Sequence, residues 1–439
     1  MPITQDSVLN LAKIDERLRR RVYDNIAWAP FIGNVVETGY VDDNGQKEYR
    51  ASGSVIEKTD IKLSDGVDHA IITMENDLVG DPIYGDTQAE GTGEEYDFNH
   101  LRVFVNQTRK VVKIKSGNMS DLRSSKYRIR ERARPKLEWW FVRQENAHIT
   151  QAIYEGASGN LTAGLSEAEN GIGLSARYPY NFYYQGSDGV FTVIGTAGKN
   201  KVASDITTAA GQTLTPMTTN TIEAASLLCQ ELNISQAVMY RGKPMWLWFI
   251  SPYQLSYLRK TDSAWQVDER AFVNGRGRDD ESPLVQYAVN AYRGFLFFVD
   301  MQAVRPWDST LSSFAGTNGW RERGTYKAGE VQDCTYIIGK SAIAHANPKP
   351  YYIKEQTTDF EADIEAAGAV INGWVRNDFV SATDEANFFA KGNASKTVLS
   401  SEYSVVNNSL LVLMIDRAYE GDDVLCLVLI MPLKCDGMH

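Results

Sequence analysis

Hydrophobic and polar positions divide this chain into stretches of different period. Val8, Leu11, Ile14, Leu18 and Val22 recur every three or four residues and predict an amphipathic helix. Lys13, Arg17, Arg19, Arg20 and Arg21 fall mostly off that stripe, so the helix has a basic side suited to a nucleic acid, a membrane surface or a partner subunit. Pro30, beside Trp28 and Phe31, breaks it. Residues 34–115 read as β, with extended stretches over 70–78 and 101–115. Residues 79–96 between them are rich in Gly, Asp and Glu, a long acidic excursion on a β hairpin, and loops of that length usually carry function.

A strongly basic segment follows. Arg123, Lys126, Arg128, Arg130, Arg132, Arg134 and Lys136 fall within residues 123–136, and alternation over 126–134 predicts an extended stretch. Leu137, Phe141, His148 and Ala152 then share one side of a helix predicted over 137–154, with Pro135 marking its start or a kink and Gly156 and Gly159 its end. Residues 158–220, dominated by Gly, Ala, Ser, Thr and Asn, read as a loop-rich insertion containing Tyr178, Tyr180, Phe182, Tyr183 and Tyr184. Helices are expected over 221–232, over 251–259 behind Ser251 and Pro252, and briefly over 341–346. Apolar strands are expected over 245–250, 295–299, 335–339, 409–415 and 424–431, and two extended stretches over 355–380. Mixed elements without a regular βαβ rhythm point to an α+β fold.

Composition narrows the function classes. The 439 residues carry 56 acids and 45 bases, a formal charge of −11, which disfavours electrostatic binding to DNA or anionic membrane over the whole surface. Apolar residues make up 43% and aromatics 11%, enough to bury a large core without disulfides or metal. The polar amino terminus does not read as a secretory signal, and the longest apolar run, 424–433, is about half of the ~20 residues a membrane-spanning helix needs. Cys229, Cys334, Cys426 and Cys435 form no C-x-x-C pair and read as free thiols.

No catalytic constellation emerges. Residues 195–200 (GTAGKN) resemble only the end of a P-loop, and Gly171-Ile172-Gly173 lacks the rest of a dinucleotide fingerprint. His69, His100, His148, His345 and His439 are scattered, without metal-ligand spacing, and no G-x-S-x-G elbow is present. The acidic excursion could gather oxygen ligands for Ca²⁺ but lacks the EF-hand order, and reads better as a solvated loop or one that meets a basic partner. No metal, cofactor or catalytic residue is nominated. An apolar arm, an acidic hairpin and a basic segment in one chain suit pairing between neighbouring copies.

Several segments in combination carry a family resemblance. Gly80-Asp81, Gly85-Asp86, Glu90-Gly91 and Glu94-Glu95 precede LRVFVNQTRKVV (101–112), Ser116-Gly117-Asn118-Met119 and the Arg-rich helix start. FISPYQLSYLRK (249–260) with Trp265, YIIGKSAIAHA (336–346) and residues 354–377 follow. Over residues 70–380 this order resembles the major capsid proteins of tailed bacteriophages, the podovirus-type family with the Hong Kong 97-type fold, whereas 158–220 and 381–439 carry no family motif.

The resemblance implies an amino-terminal arm (1–33), an extended loop region (34–119), the spine helix of a peripheral domain (120–157), an insertion (158–220) and an axial domain (221–335). It implies a return to the peripheral domain with carboxy-terminal strands over 336–439. It further implies a non-enzymatic head protein, assembled in the host bacterial cytoplasm into pentamers and hexamers of an icosahedral virion shell around double-stranded DNA. Portal and scaffolding or decoration proteins are the implied partners, with no membrane and no sequence-specific DNA binding. The expected intersubunit contacts are Asp81, Asp86, Glu90, Glu94 and Glu95 against Arg123, Arg128, Arg130 and Arg132, with Arg17 and Arg20 on the arm. A non-viral encapsulin-like shell and a carbohydrate-binding tail protein are the alternatives, the second resting on the aromatic cluster at 178–184.

Overall fold

The computed structural model describes residues 28–33, 36–41, 47–50, 54–59, 69–75, 84, 98–115, 129–162, 180–195, 214–240, 242–275, 287–299, 332–358, 363–381 and 405–416. These residues form three sheets. Six short strands, β1 (Val36–Val41), β2 (Lys47–Arg50), β4 (His69–Glu75), β5 (Phe98–Phe104), β16 (Phe379–Ser381) and β17 (Val405–Val406), make the first, in the order β1-β2-β4-β5-β16-β17. The second has four strands, β3 (Ile56–Thr59), β14 (Ile343–Thr358), β15 (Asp363–Arg376) and β6 (Asn106–Lys115), in the order β3-β14-β15-β6.

The third sheet has eight strands. β11 (Asn290–Tyr292), β12 (Phe295–Val299), β10 (Lys243–Ile250), β13 (Gln332–Ile338), β18 (Leu410–Asp416), β7 (Phe182–Gln185) and β8 (Phe191–Val193) lie side by side, and β9 (Val238–Tyr240) also pairs with β10. Its central strands are apolar at consecutive positions because both faces are covered. Leu247 and Phe249 of β10 face one core, which also holds Tyr336, Ile338, Val412 and Met414. Trp246, Trp248 and Ile250 face a second core, closed by α3 (Thr219–Glu231), α4 (Pro252–Thr261) and α5 (Ser263–Gly275). Thr218 opens α3 and Ser251 opens α4, each through a reciprocal capping box that satisfies backbone N–H groups of the first turn.

The long helix α1 (Ile129–Glu155) lies on β15 of the four-stranded sheet, followed by the short α2 (Gly159–Thr162). Glycine sets the approach distance: a Cβ at Gly368 would sit 2.5 Å from Phe141 and 2.9 Å from Leu137. Gly156 ends the helix at φ +86°, its N–H bonded to the Ala152 carbonyl, a conformation that only glycine adopts cheaply.

Most strand and helix expectations from 221 onward match these elements, and five segments differ. Residues 129–134, expected to be extended, are helical and continuous with α1 through Pro135. Residues 343–346, expected in a short helix, open β14, because Ile343–Ala346 pairs with β3 on one side and residues 373–376 of β15 on the other. That two-sided pairing outweighs the helical preference of alanine. The stretch 101–115 is two strands that part at Val105 and serve different sheets.

The fourth difference concerns the loop-rich segment 158–220, which contributes β7 to the eight-stranded sheet, parallel to β18. Fifth, the end of the arm 1–33 is anchored in the subunit's own core. Trp28 and Phe31 are buried, with rings 4.8 Å and 5.4 Å from Phe249. The expected amino-terminal helix and the strand 424–431 lie outside the described residues.

Candidate functional site

Of the eleven expected contact residues, Asp81, Asp86, Glu90, Glu94, Glu95, Arg17, Arg20, Arg123 and Arg128 lie outside the described residues. Arg130 and Arg132 lie in the first turns of α1. Within the acidic excursion only Tyr84 is described, and it is 77% exposed. β4 and β5, which flank the excursion, pair antiparallel from His69↔Phe104 to Glu75↔Phe98.

Sequence reasoning passed over two groupings that the fold assembles. The first is a buried polar seam between α1 and β15. Glu145 of α1 accepts from Asn372 Nδ2 at 2.8 Å and from Trp374 Nε1 at 2.7 Å. Arg376, wholly buried, pairs with Asp378 at 2.6 Å and donates to the Ile153 carbonyl at 2.8 Å, near the end of α1. Asn407 Nδ2 donates to Asp378 at 2.8 Å, tying in the link between β17 and β18. His345 stacks on Trp374 with ring centres 3.6 Å apart, and neither of its nitrogens has a hydrogen-bond partner among the described residues. Burial, and then the Lys58 charge, push its pKa down to about 3. Burial also lowers that of His148, against the opposing pull of Glu145. The sequence signal was faint: polar residues spaced by two along 372–378, each invisible as a partner until β15 meets α1.

The second grouping is the face of the four-stranded sheet turned away from α1. Gly368 faces the helix, and Lys110 Nζ lies over the Trp140 ring on that same side at 5.6 Å. Alternation therefore sends Gln107, Arg109, Val111 and Lys113 to the opposite face. Their partners in register on β15 are Ile371, Ala369, Ala367 and Glu365, and across β15 from these stand Lys349, Tyr352 and Lys354 of β14. The β14–β15 register shifts on either side of Lys349, where Pro348 and Pro350 cannot donate to the ladder. The shift leaves Lys349 on the same face as Tyr352, its ammonium 4.2 Å from the ring centre. The period-two spacing of 109, 111 and 113 was legible, but the contribution of β14 was not.

These arrangements hold structure together rather than react. No group of three or more His, Cys, Asp or Glu residues that could hold a metal occurs among the described residues, and no described helix is long and apolar enough to cross a membrane. Cys229 and Cys334 are buried, and burial raises the Cys229 thiol pKa. Of the aromatic cluster offered for sugar stacking, Phe182 is buried, and Tyr183 and Tyr184 are half-buried in β7.

Comparison with known proteins gives these elements a context. A search of curated proteins found no match. Among solved structures, the capsid of Ralstonia phage GP4 superposes with a TM-score of 0.55 at 16% identity, over 89% of this chain and 90% of that one. The capsid of cyanophage Pam1 gives 0.55 at 15% identity, over 92% and 93%. The head of Helicobacter pylori bacteriophage KHP40 gives 0.51 at 11%, over 83% and 88%. At these identities the likeness establishes a shared α+β capsid fold of the Hong Kong 97 type. A family model described as phage capsid protein matches residues 49–389. That span is well over half of the sequence, and the chain belongs to the phage capsid protein family.

Proposed function

We propose that the chain is the repeating subunit of an icosahedral head, forming pentamers and hexamers around packaged double-stranded DNA. Family membership makes it a structural, non-enzymatic capsid protein that assembles with copies of itself in a virion. The finer reading adds roles to segments: 1–33 as arm, 34–119 as extended loop, 120–157 as spine, 158–220 as insertion, 221–335 as axial domain and 336–439 as peripheral return. Because β13 and β18 lie beside β10 in the eight-stranded sheet, we assign β18 to the axial body and keep β14 and β15 for the peripheral one. The observation that carries the reading is the division of the chain. A long helix on a four-stranded sheet, a separate aromatic-cored sheet and a hairpin built on short strands together suit a subunit completed by neighbours.

Assembly in the host cytoplasm, with portal and scaffolding or decoration proteins, completes the proposal. Electron microscopy of the purified, overexpressed chain tests it: closed shells are expected, and a monodisperse monomer at all concentrations overturns it. The acidic excursion and the basic helix start are proposed to meet across subunits. Charge reversal at Arg128, Arg130 and Arg132 should then abolish particles while leaving a folded subunit, and particles formed at the wild-type level would remove that pairing.

A further inference from the structure

We propose that the sheet face bearing Arg109, Lys113, Lys349 and Lys354 contacts the phosphates of packaged double-stranded DNA, and so forms part of the inner wall of the shell. The proposal deepens the shell reading and rests on it. Arg109, Lys113, Lys349 and Lys354 share this face with Glu365, which Lys113 holds at 3.6 Å. The chain as a whole carries −11, so the patch is a local reversal of charge on an acidic subunit.

The character of the face selects its partner. Arg109, Lys113 and Lys354 are exposed, and between them the sheet carries the small Ala367 and Ala369. Val111 is the large apolar side chain exposed among them. A protein–protein interface concentrates apolar and aromatic anchors at its centre and is depleted in lysine. A phosphate surface needs only cations on flexible stems over a flat floor, and it reads no sequence. The flat floor here is the sheet itself, with Lys349 steadied over Tyr352 and Gln107 donating to the Tyr352 hydroxyl at 3.1 Å. A patch of three or four cations on each otherwise acidic subunit attracts DNA weakly, which suits a filament that must slide as it fills a container. The competing occupant is the acidic segment 76–97 of a neighbouring copy, with seven acids and no base. The cationic face spans the width of three strands, as a duplex lying across it requires.

The test uses full-length protein, as dissociated subunits and as closed shells, with a fluorescent duplex of about 25 base pairs titrated between about 50 and 200 mM salt. Wild-type subunits should bind with a log–log salt slope of about −3, as about three to four phosphate contacts require. The R109E/K354E pair should weaken binding at least about tenfold and flatten the slope by about 2, with R109Q/K354Q intermediate. Closed shells should bind no added duplex. Unchanged binding by R109E/K354E overturns the proposal, and so does duplex capture by intact shells. Failure of R109E/K354E to assemble with its DNA binding intact would give the face to the neighbour's acidic segment. Absence of shells from the wild-type protein would instead count against the shell reading, while the subunit titration still reports on the face.

Discussion

Two buried regions of this subunit differ in how much polarity they enclose. In the eight-stranded sheet, Trp248 stacks on Phe297 at 5.3 Å and Trp265 meets Phe297 edge-on at 4.8 Å, in a core whose lining is aromatic and aliphatic. Between α1 and β15, the apolar packing of Phe141, Ile153 and Val370 is joined by the buried polar groups Glu145, Arg376 and Asp378. Apolar packing is non-directional and tolerates small rearrangements that conserve volume. A buried charge tolerates none, because losing one partner strands the other without water. The aromatic sheet therefore makes the body stable, whereas the seam dictates where the long helix sits along its sheet. In a protein that closes into a shell, a small error in that placement would be repeated in every copy.

The largest expected effect follows from this contrast. Asp378→Ala removes the carboxylate paired with the buried Arg376 and should lower unfolding stability by about 3–5 kcal/mol in urea titrations. Replacing both as Arg376→Met with Asp378→Leu should recover most of that loss, since the cost lies in the stranded charge. In the aromatic sheet, Phe297→Leu should cost only about 1–2 kcal/mol. Equal losses for Phe297→Leu and Asp378→Ala would erase the distinction between the regions.

Acid sharpens the same comparison. Buried against Trp374, His345 stays neutral in the folded chain down to about pH 3, while the unfolded chain takes up the proton near 6.5. Its contribution is therefore fully present above pH 6.5 and is lost progressively as pH falls toward 3. By pH 5 this single group should remove about 2 kcal/mol relative to pH 8. His345→Phe keeps a ring on Trp374 and abolishes that titration, so its urea midpoint should fall less between pH 8 and pH 5. Part of the fall should remain, because the pKa of His148 is lowered by burial in the same way. Parallel pH profiles for wild type and His345→Phe would show that His345 is not the acid-sensitive group.

How much of this was legible in the sequence divides along the same line. β12 was read at its observed bounds, Phe295–Val299, because a strand buried on both faces is a continuous apolar run. α4 was read from its cap, since Ser251 and Pro252 carry their signal within one turn. The opening of β14 was misread, because Ala342, Ala344 and Ala346 show helical preference and their strand partners lie far away in sequence. Glu145 and Trp374 are 229 residues apart, and neither has any local sign of the other. The basic sheet face was hidden for the same reason: half of its cations come from β6 and half from β14. Local signals reveal elements, whereas the seam and the sheet face exist only after pairing.

The smallest expected effect tests whether polarity or burial separates the two regions. Asp262 sits beside the aromatic sheet and also makes several hydrogen bonds. Its Oδ1 accepts from the N–H groups of Ala264 at 3.0 Å and Trp265 at 3.2 Å, capping α5, and its Oδ2 accepts from the Thr219 N–H at 3.1 Å in the first turn of α3. Partial burial works to raise its pKa, but the hydrogen bonds from Thr219, Trp265 and Ala264 more than offset this and hold it below the usual carboxylate value. Asp262 is not deeply buried, so water can reach the N–H groups that Asp262→Ala would leave open. The loss in urea should be about 1 kcal/mol, the ordinary worth of a helix cap, and Asp262→Asn should lose less. A loss as large as that of Asp378→Ala would mean that the number of hydrogen bonds, and not the exclusion of water around them, is what makes the seam unforgiving.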